Sequence, residues 1–133
     1  MRIMLDTNIL ISVAIFNSNK LKELLVKICD NHTLVLSSYI IEELEAVVQR
    51  KFPNKIDNLR DFLYKLPYEL NYTPNVAIQN NDIEIRDEKD LPILISAIIS
   101  DVDIFITGDK DFDDVNIDKP EIINAIEFLK KYC

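Results

Sequence analysis

The sequence predicts an α/β protein: a three-layer α/β/α sandwich around a four- or five-stranded, mainly parallel sheet. Three observations carry this. Short apolar runs alternate with stretches of helical periodicity along the chain. The apolar runs are continuous rather than alternating, as in strands buried on both faces. Strands separated by helices pair in parallel through right-handed crossovers. At 133 residues and 48% hydrophobic content, without repeats or low-complexity runs, the chain suits one domain spanning 1–133.

Ile3–Leu5 is an apolar run ending in Asp6-Thr7-Asn8, and Ile9–Phe16 is almost wholly apolar, which predicts a strand and then a buried helix. Ser18-Asn19 suits the cap of a second helix, in which Leu21, Leu24, Leu25 and Ile28 recur at helical spacing before Asp30-Asn31. Thr33–Leu36 reads as a buried parallel strand, and Ser37-Ser38 offers hydroxyls to cap a helix from Tyr39 to about Arg50. Pro53 fits the first turn of another helix, whose stripe of Ile56, Leu59, Phe62 and Leu63 ends before Pro67. Tyr68–Tyr72 is a third strand and Thr73–Arg86 a loop. Leu91–Ser100 is a strongly apolar helix with Pro92 in its first turn, and Asp103–Thr107 a strand that meets Gly108. A one-turn helix around Asp111–Val115 and a short strand, Glu121–Ile123, follow. Asn124 and Glu127 then form an Asn version of a capping box for the last helix.

Composition excludes several function classes. Gly108 is the only glycine, so no glycine-rich loop can wrap a phosphate and the nucleotide-binding fingerprints are absent. Cys29 and Cys133 lack metal-binding spacing, and with the single His32 they leave too few soft ligands for zinc; none of the three is expected to take part in catalysis. The apolar stretches are too short for a signal peptide or membrane span, which predicts a cytoplasmic protein with reduced thiols. The net charge of −8 is opposite to the basic stripe of a protein that holds nucleic acid by itself. Two divalent cations would halve that charge and present positive charge to a phosphate.

Ligands of such sheets sit at the carboxyl ends of the strands. Asp6 follows the first strand and Asp109 the fourth; Glu43 lies in the early turns of the helix after the second, and Asp90 opens the helix before the fourth. Each has an ordinary reading as well. Asp6 and Asp90 suit helix N-caps, Asp109 and Asp111 suit a turn after Gly108, and Glu42, Glu43 and Glu45 suit a solvated helix face. Among these three, Glu43 stands beside the buried stripe of Ile40, Ile41, Leu44 and Val47-Val48 and is best able to lean over the sheet edge. Asn8 is either a polar helix-start residue or a hydrogen-bond partner that orients Asp6. Asp87 resembles Asp90 one loop earlier, and Lys110 is solvated or approaches a substrate phosphate.

Four acids at one edge would repel by several kcal/mol per close pair at an effective dielectric near 20. Mg²⁺ or Mn²⁺ resolves this, since hard cations take oxygen ligands and Mg²⁺ combines a few carboxylates with substrate phosphate. Phosphodiester hydrolysis by a metal-activated water follows, with no nucleophilic side chain required.

Met4-Leu5-Asp6-Thr7-Asn8, Ser38 with Glu42-Glu43-Leu44, Arg86-Asp87 with Asp90, and Thr107-Gly108-Asp109-Lys110-Asp111-Phe112, in this order over essentially the whole chain, resemble the motifs of PIN domains. The likeness is greatest to stand-alone bacterial and archaeal PIN proteins classed as toxins of toxin–antitoxin pairs, the VapC-like group. The resemblance implies a Mg²⁺- or Mn²⁺-dependent endoribonuclease, usually a homodimer inhibited by a small antitoxin protein. It implies acidic site residues at Asp6, Glu43, Asp90 and Asp109, a Thr107 hydroxyl supporting Asp6 or a metal water, and a supporting Asp111, which matches an acid that is metal-proximal in some members. Relatives that carry a further acid directly after the Asp90 position differ from this chain, which has Leu91-Pro92, so one firm metal site is expected rather than two.

Two other classes share parts of the pattern. Phosphatase and phosphotransfer domains also place Asp after a first parallel strand, but the phosphatase pattern wants a second Asp where Asn8 stands, and no acid pair precedes Asp6. A PIN-like domain that binds RNA or protein without cleaving is the second alternative.

Overall fold

The computed structural model describes residues 1–74 and 90–133. Among the described residues the strands are β1 (Arg2–Leu5), β2 (Thr33–Ser37), β3 (Glu69–Asn71), β4 (Ile104–Ile106) and β5 (Glu121–Ile123). They form one five-stranded sheet in the order β3-β2-β1-β4-β5, parallel at every pairing. Among the described residues the helices are α1 (Thr7–Ala14), α2 (Asn19–Asn31), α3 (Ser38–Lys51), α4 (Ile56–Lys65), α5 (Leu91–Ile99) and α6 (Ala125–Tyr132). They flank the sheet in the predicted three-layer α/β/α arrangement. α1 packs on α2, α3 and α4, while α3 also packs on α5 and α2 on α6.

The apolar runs dictate which strands are central. Ile3, Met4, Leu5, Leu34, Val35, Leu36, Ile104, Phe105 and Ile106 are all buried, as a strand covered on both faces requires. β3 and β5 are short edge strands, and Leu70 on β3 remains 58% exposed. The strand order reverses direction beside β1: the chain steps from β1 to β2 and β3 on one side, then crosses to β4 and β5 on the other. The crevice at the carboxyl ends of β1 and β4 is therefore the topological switch point where such sheets receive ligands.

Side-chain caps set three of the six described helix starts where the sequence places them. The Ser18 hydroxyl accepts from the Leu21 amide at 3.5 Å, that of Ser37 accepts from Ile40 at 3.1 Å, and Asn124 and Glu127 form the reciprocal capping box. Other bounds shift. The first helix runs from Thr7 to Ala14 rather than from Ile9 to Phe16, because Asn17 takes a left-handed φ of 52° that turns the chain into α2. Pro53 opens a 3₁₀ turn, Pro53–Lys55, that leads into α4, and the short turn after Gly108 spans Lys110–Phe112 instead of Asp111–Val115. Most of the loop expected over Thr73–Arg86, and Asp87 with it, lies outside the described residues. No helix among the described residues is long and apolar enough to cross a membrane.

Candidate metal centre at the sheet switch point

Asp6 is the first residue beyond β1 and only 4% exposed, so its carboxylate has lost most of its solvation. It is the N-cap residue of α1, yet its side chain makes no capping hydrogen bond. Instead Oδ2 accepts from the Thr107 hydroxyl at 2.7 Å. β1 and β4 pair through Leu5 and Ile106, and the Asp6 amide donates to the Ile106 carbonyl at 3.0 Å, so the sheet itself sets Asp6 beside Thr107. Asn8 is exposed on the first turn of α1, and the side-chain hydrogen bond to Asp6 comes from Thr107 at the neighbouring strand end. Asn8 lines a cleft of about 310 Å³ together with Asp6, Ile9, Ser12, Leu21, Gly108 and Asp109.

The Thr107 hydroxyl also accepts from the Asp109 amide at 3.1 Å, and Oδ1 of Asp109 accepts from the Asp111 amide at 2.9 Å. These two bonds fold the segment after β4 into a tight hook. Carboxylate oxygens of Asp109 and Asp111 thereby come within 4.8 Å of one another and of Asp90, which leads into α5. Asp90, like Asp6, makes no capping hydrogen bond with its side chain. Gly108 needs no special backbone: its φ is not positive, and a Cβ there would meet nothing within 4 Å.

Burial pushes the Asp6 carboxyl above the ordinary Asp range; hydrogen bonds from Thr107 and the Thr7 amide oppose this, and the charges of Glu43 and Asp109 add to it. Glu43 is half-buried on α3, while Glu42 and Glu45 are exposed. Tyr39, one helical turn before Glu43, has its hydroxyl pushed up by burial first and then by the charge of Glu43, a hydrogen bond to it, and the charges of Asp90 and Glu42. Glu43 and Asp90 thus act on one shared phenol. Tyr39 is missing from the residues singled out by sequence; its i, i+4 spacing to Glu43 is the signal that finds it.

The structure therefore gathers Asp90, Asp109 and Asp111 most closely, with Asp6 buried beside Asp109 and Glu43 within electrostatic reach. Asp111 stands in the closest trio with Asp90 and Asp109. Among the described residues this donor set is all carboxylate oxygen, which fits a hard divalent cation and not a soft one. Cys29 and Cys133 are free thiols, and His32 contacts the N-terminal amine at the amino ends of the strands, opposite the acids.

Comparison with solved structures places this fold among known ones. The chain is similar to VapBC2 from Rickettsia felis, solved bound to a DNA fragment from its promoter, with 21% identity and a TM-score of 0.70 over 93% of this chain and 98% of that one. It is also similar to VapC20 of Mycobacterium tuberculosis, a sarcin–ricin loop cleaving toxin, with 8% identity and a TM-score of 0.58 over 84% of this chain and 92% of that one. No curated protein sequence matches the chain. The family model of the PIN domain matches residues 2–111, from the first strand through the hook that carries Asp109 and Asp111, and the chain belongs to the PIN domain family.

Proposed function

We propose that this chain, acting as one domain over residues 1–133, is a Mg²⁺- or Mn²⁺-dependent endoribonuclease and the cytoplasmic toxin of a toxin–antitoxin pair. The observation that carries the reading is the convergence of Asp90, Asp109 and Asp111 within 4.8 Å, beside buried Asp6, at the carboxyl ends of β1 and β4. Asp90, Asp109 and Asp111 would hold the cation, with Asp6 and Glu43 completing the acidic set. A divalent cation there supplies Lewis acidity to a water and neutralises charge on the phosphodiester. Thr107 keeps the Asp6 carboxylate in one orientation through Oδ2, and Asn8 lines the cleft the RNA backbone would enter. The net charge of −8 makes a cation necessary for approach to RNA at all.

Family membership supports nuclease chemistry, and likeness to a VapBC2 complex and to a loop-cleaving VapC toxin supports RNA as substrate and a small antitoxin as partner. A homodimer belongs to the same reading. Incubating the purified protein with structured and single-stranded RNA, with Mn²⁺ or with EDTA, tests it. Cleavage is expected with Mn²⁺ alone; if it is absent, or Asp6→Asn leaves it unchanged, the reading fails.

A further inference from the structure

The acids of the centre are held by two different means. Asp6 and Asp109 follow adjacent strands whose ladder and Thr107 set their separation. Glu43 lies on α3 and Asp90 is the N-cap residue of α5, and no sheet ladder ties these two helices together.

α5 reads Leu-Pro-Ile-Leu-Ile-Ser-Ala-Ile-Ile, and Ser96 is its only polar side chain. Ser96 is fully buried, as is Ser37, the residue on which β2 ends and α3 is capped. The Ser37 hydroxyl donates to that of Ser96 at 2.9 Å while accepting from the Ile40 amide at 3.1 Å; the Ser96 hydroxyl donates on to the Ile93 carbonyl at 2.7 Å. One continuous run of hydrogen bonds therefore leads from the first turn of α3, just before Glu43, to the first turn of α5, just after Asp90. Buried hydroxyls are costly unless paired, so this pair favours the setting of α5 against α3 in which the two serines meet. An apolar pair at these positions would pack without that directional constraint.

We propose that the Ser37–Ser96 hydrogen bond is a positioning strut that sets Asp90 against Glu43 and thereby tunes the affinity of the acidic centre for its divalent cation. The inference rests on the metal-dependent reading above. Neither serine touches the reacting atoms; both act through Glu43 on α3 and Asp90 at the start of α5.

Binding of Mn²⁺ alone, followed by electron paramagnetic resonance or calorimetry on the full chain without RNA, tests this separately from cleavage. Ser96→Ala is expected to weaken Mn²⁺ binding by about tenfold, in the range seen when a partner orienting a metal ligand is removed. Ser37→Ala should do the same, and the double variant should lose no more than either single one, because both remove one strut. Ser96→Thr, which keeps the hydroxyl, should restore most of the affinity. Ser100→Ala is the control for general damage to α5, since the Ser100 hydroxyl is buried at the end of the same helix without a hydrogen-bond partner among the described residues. It should leave Mn²⁺ affinity unchanged. If Ser96→Ala does not fold, Ser96→Cys, a weaker donor of similar volume, carries the comparison. Wild-type Mn²⁺ affinity in a folded Ser96→Ala or Ser96→Cys protein overturns the strut alone; failure of the wild-type chain to bind Mn²⁺ overturns the metal reading and the strut with it.

Discussion

The hydroxyl of Thr107 donates a 2.7 Å hydrogen bond to Oδ2 of Asp6, joining the first residues beyond two adjacent parallel strands. Because Asp6 is buried, this bond replaces solvation the carboxylate has lost. Thr107→Val keeps the shape and deletes the donor, which is expected to cost about 1–3 kcal/mol of stability at neutral pH. Thr107→Ser should stay close to wild type. Urea unfolding in EDTA measures both, and a Val variant as stable as the Ser variant would show that the bond contributes nothing.

Asp6 also sets a pH dependence. Its carboxyl is raised by burial, so the folded chain binds that proton more tightly than the unfolded chain. The stability from this group is fully present below the unfolded value, roughly 3.9, and is lost as pH rises through the higher folded value. Asp6→Asn cannot ionise and lacks this loss. Without metal, its melting temperature should exceed that of wild type by a margin that grows as pH rises from about 4. The carboxyls of Glu69, held low by Arg2, of Asp103, held low by the Arg2 amide, and of Glu121, held low by Lys131, contribute to both proteins and cancel. A margin that stays flat with pH contradicts the argument.

Metal binding to Asp90, Asp109 and Asp111 should stabilise the fold by mass action. At a hundredfold excess over Kd the gain is about 2.7 kcal/mol, or roughly 10 °C in Tm. Asp90→Asn, Asp109→Asn and Asp111→Asn should each remove most of that shift while leaving the Tm in EDTA unchanged or higher, since each relieves repulsion within the trio. Equal shifts in wild type and all three variants would place the cation elsewhere.

The neighbouring glutamates separate a site role from a solvated face. Glu43→Gln is expected to lower Mn²⁺-supported RNA cleavage at least tenfold, whereas Glu42→Gln and Glu45→Gln, both exposed, should stay within about twofold of wild type. Rates with a single RNA at fixed Mn²⁺ decide this; equal losses in all three would reduce Glu43 to one member of a charged face.

Much of this was written in local chemistry. Continuous apolar runs specify buried parallel strands, serine and asparagine caps specify helix starts, and both act over a few residues, so β2, β5 and the capping box of α6 could be read directly from the chain. The acids at strand ends were legible for the same reason. Tertiary structure decided what joins across the sheet: which of the supports offered to Asp6 reaches it, namely Thr107, that Asp90, Asp109 and Asp111 converge, and that Ser37 meets Ser96. Residues 59 or 101 positions apart meet only when strand order and helix packing are set, and no local propensity records that distance. The sequence determined which groups could serve a metal centre; the register of β1 against β4, and of α3 against α5, decided which of them meet.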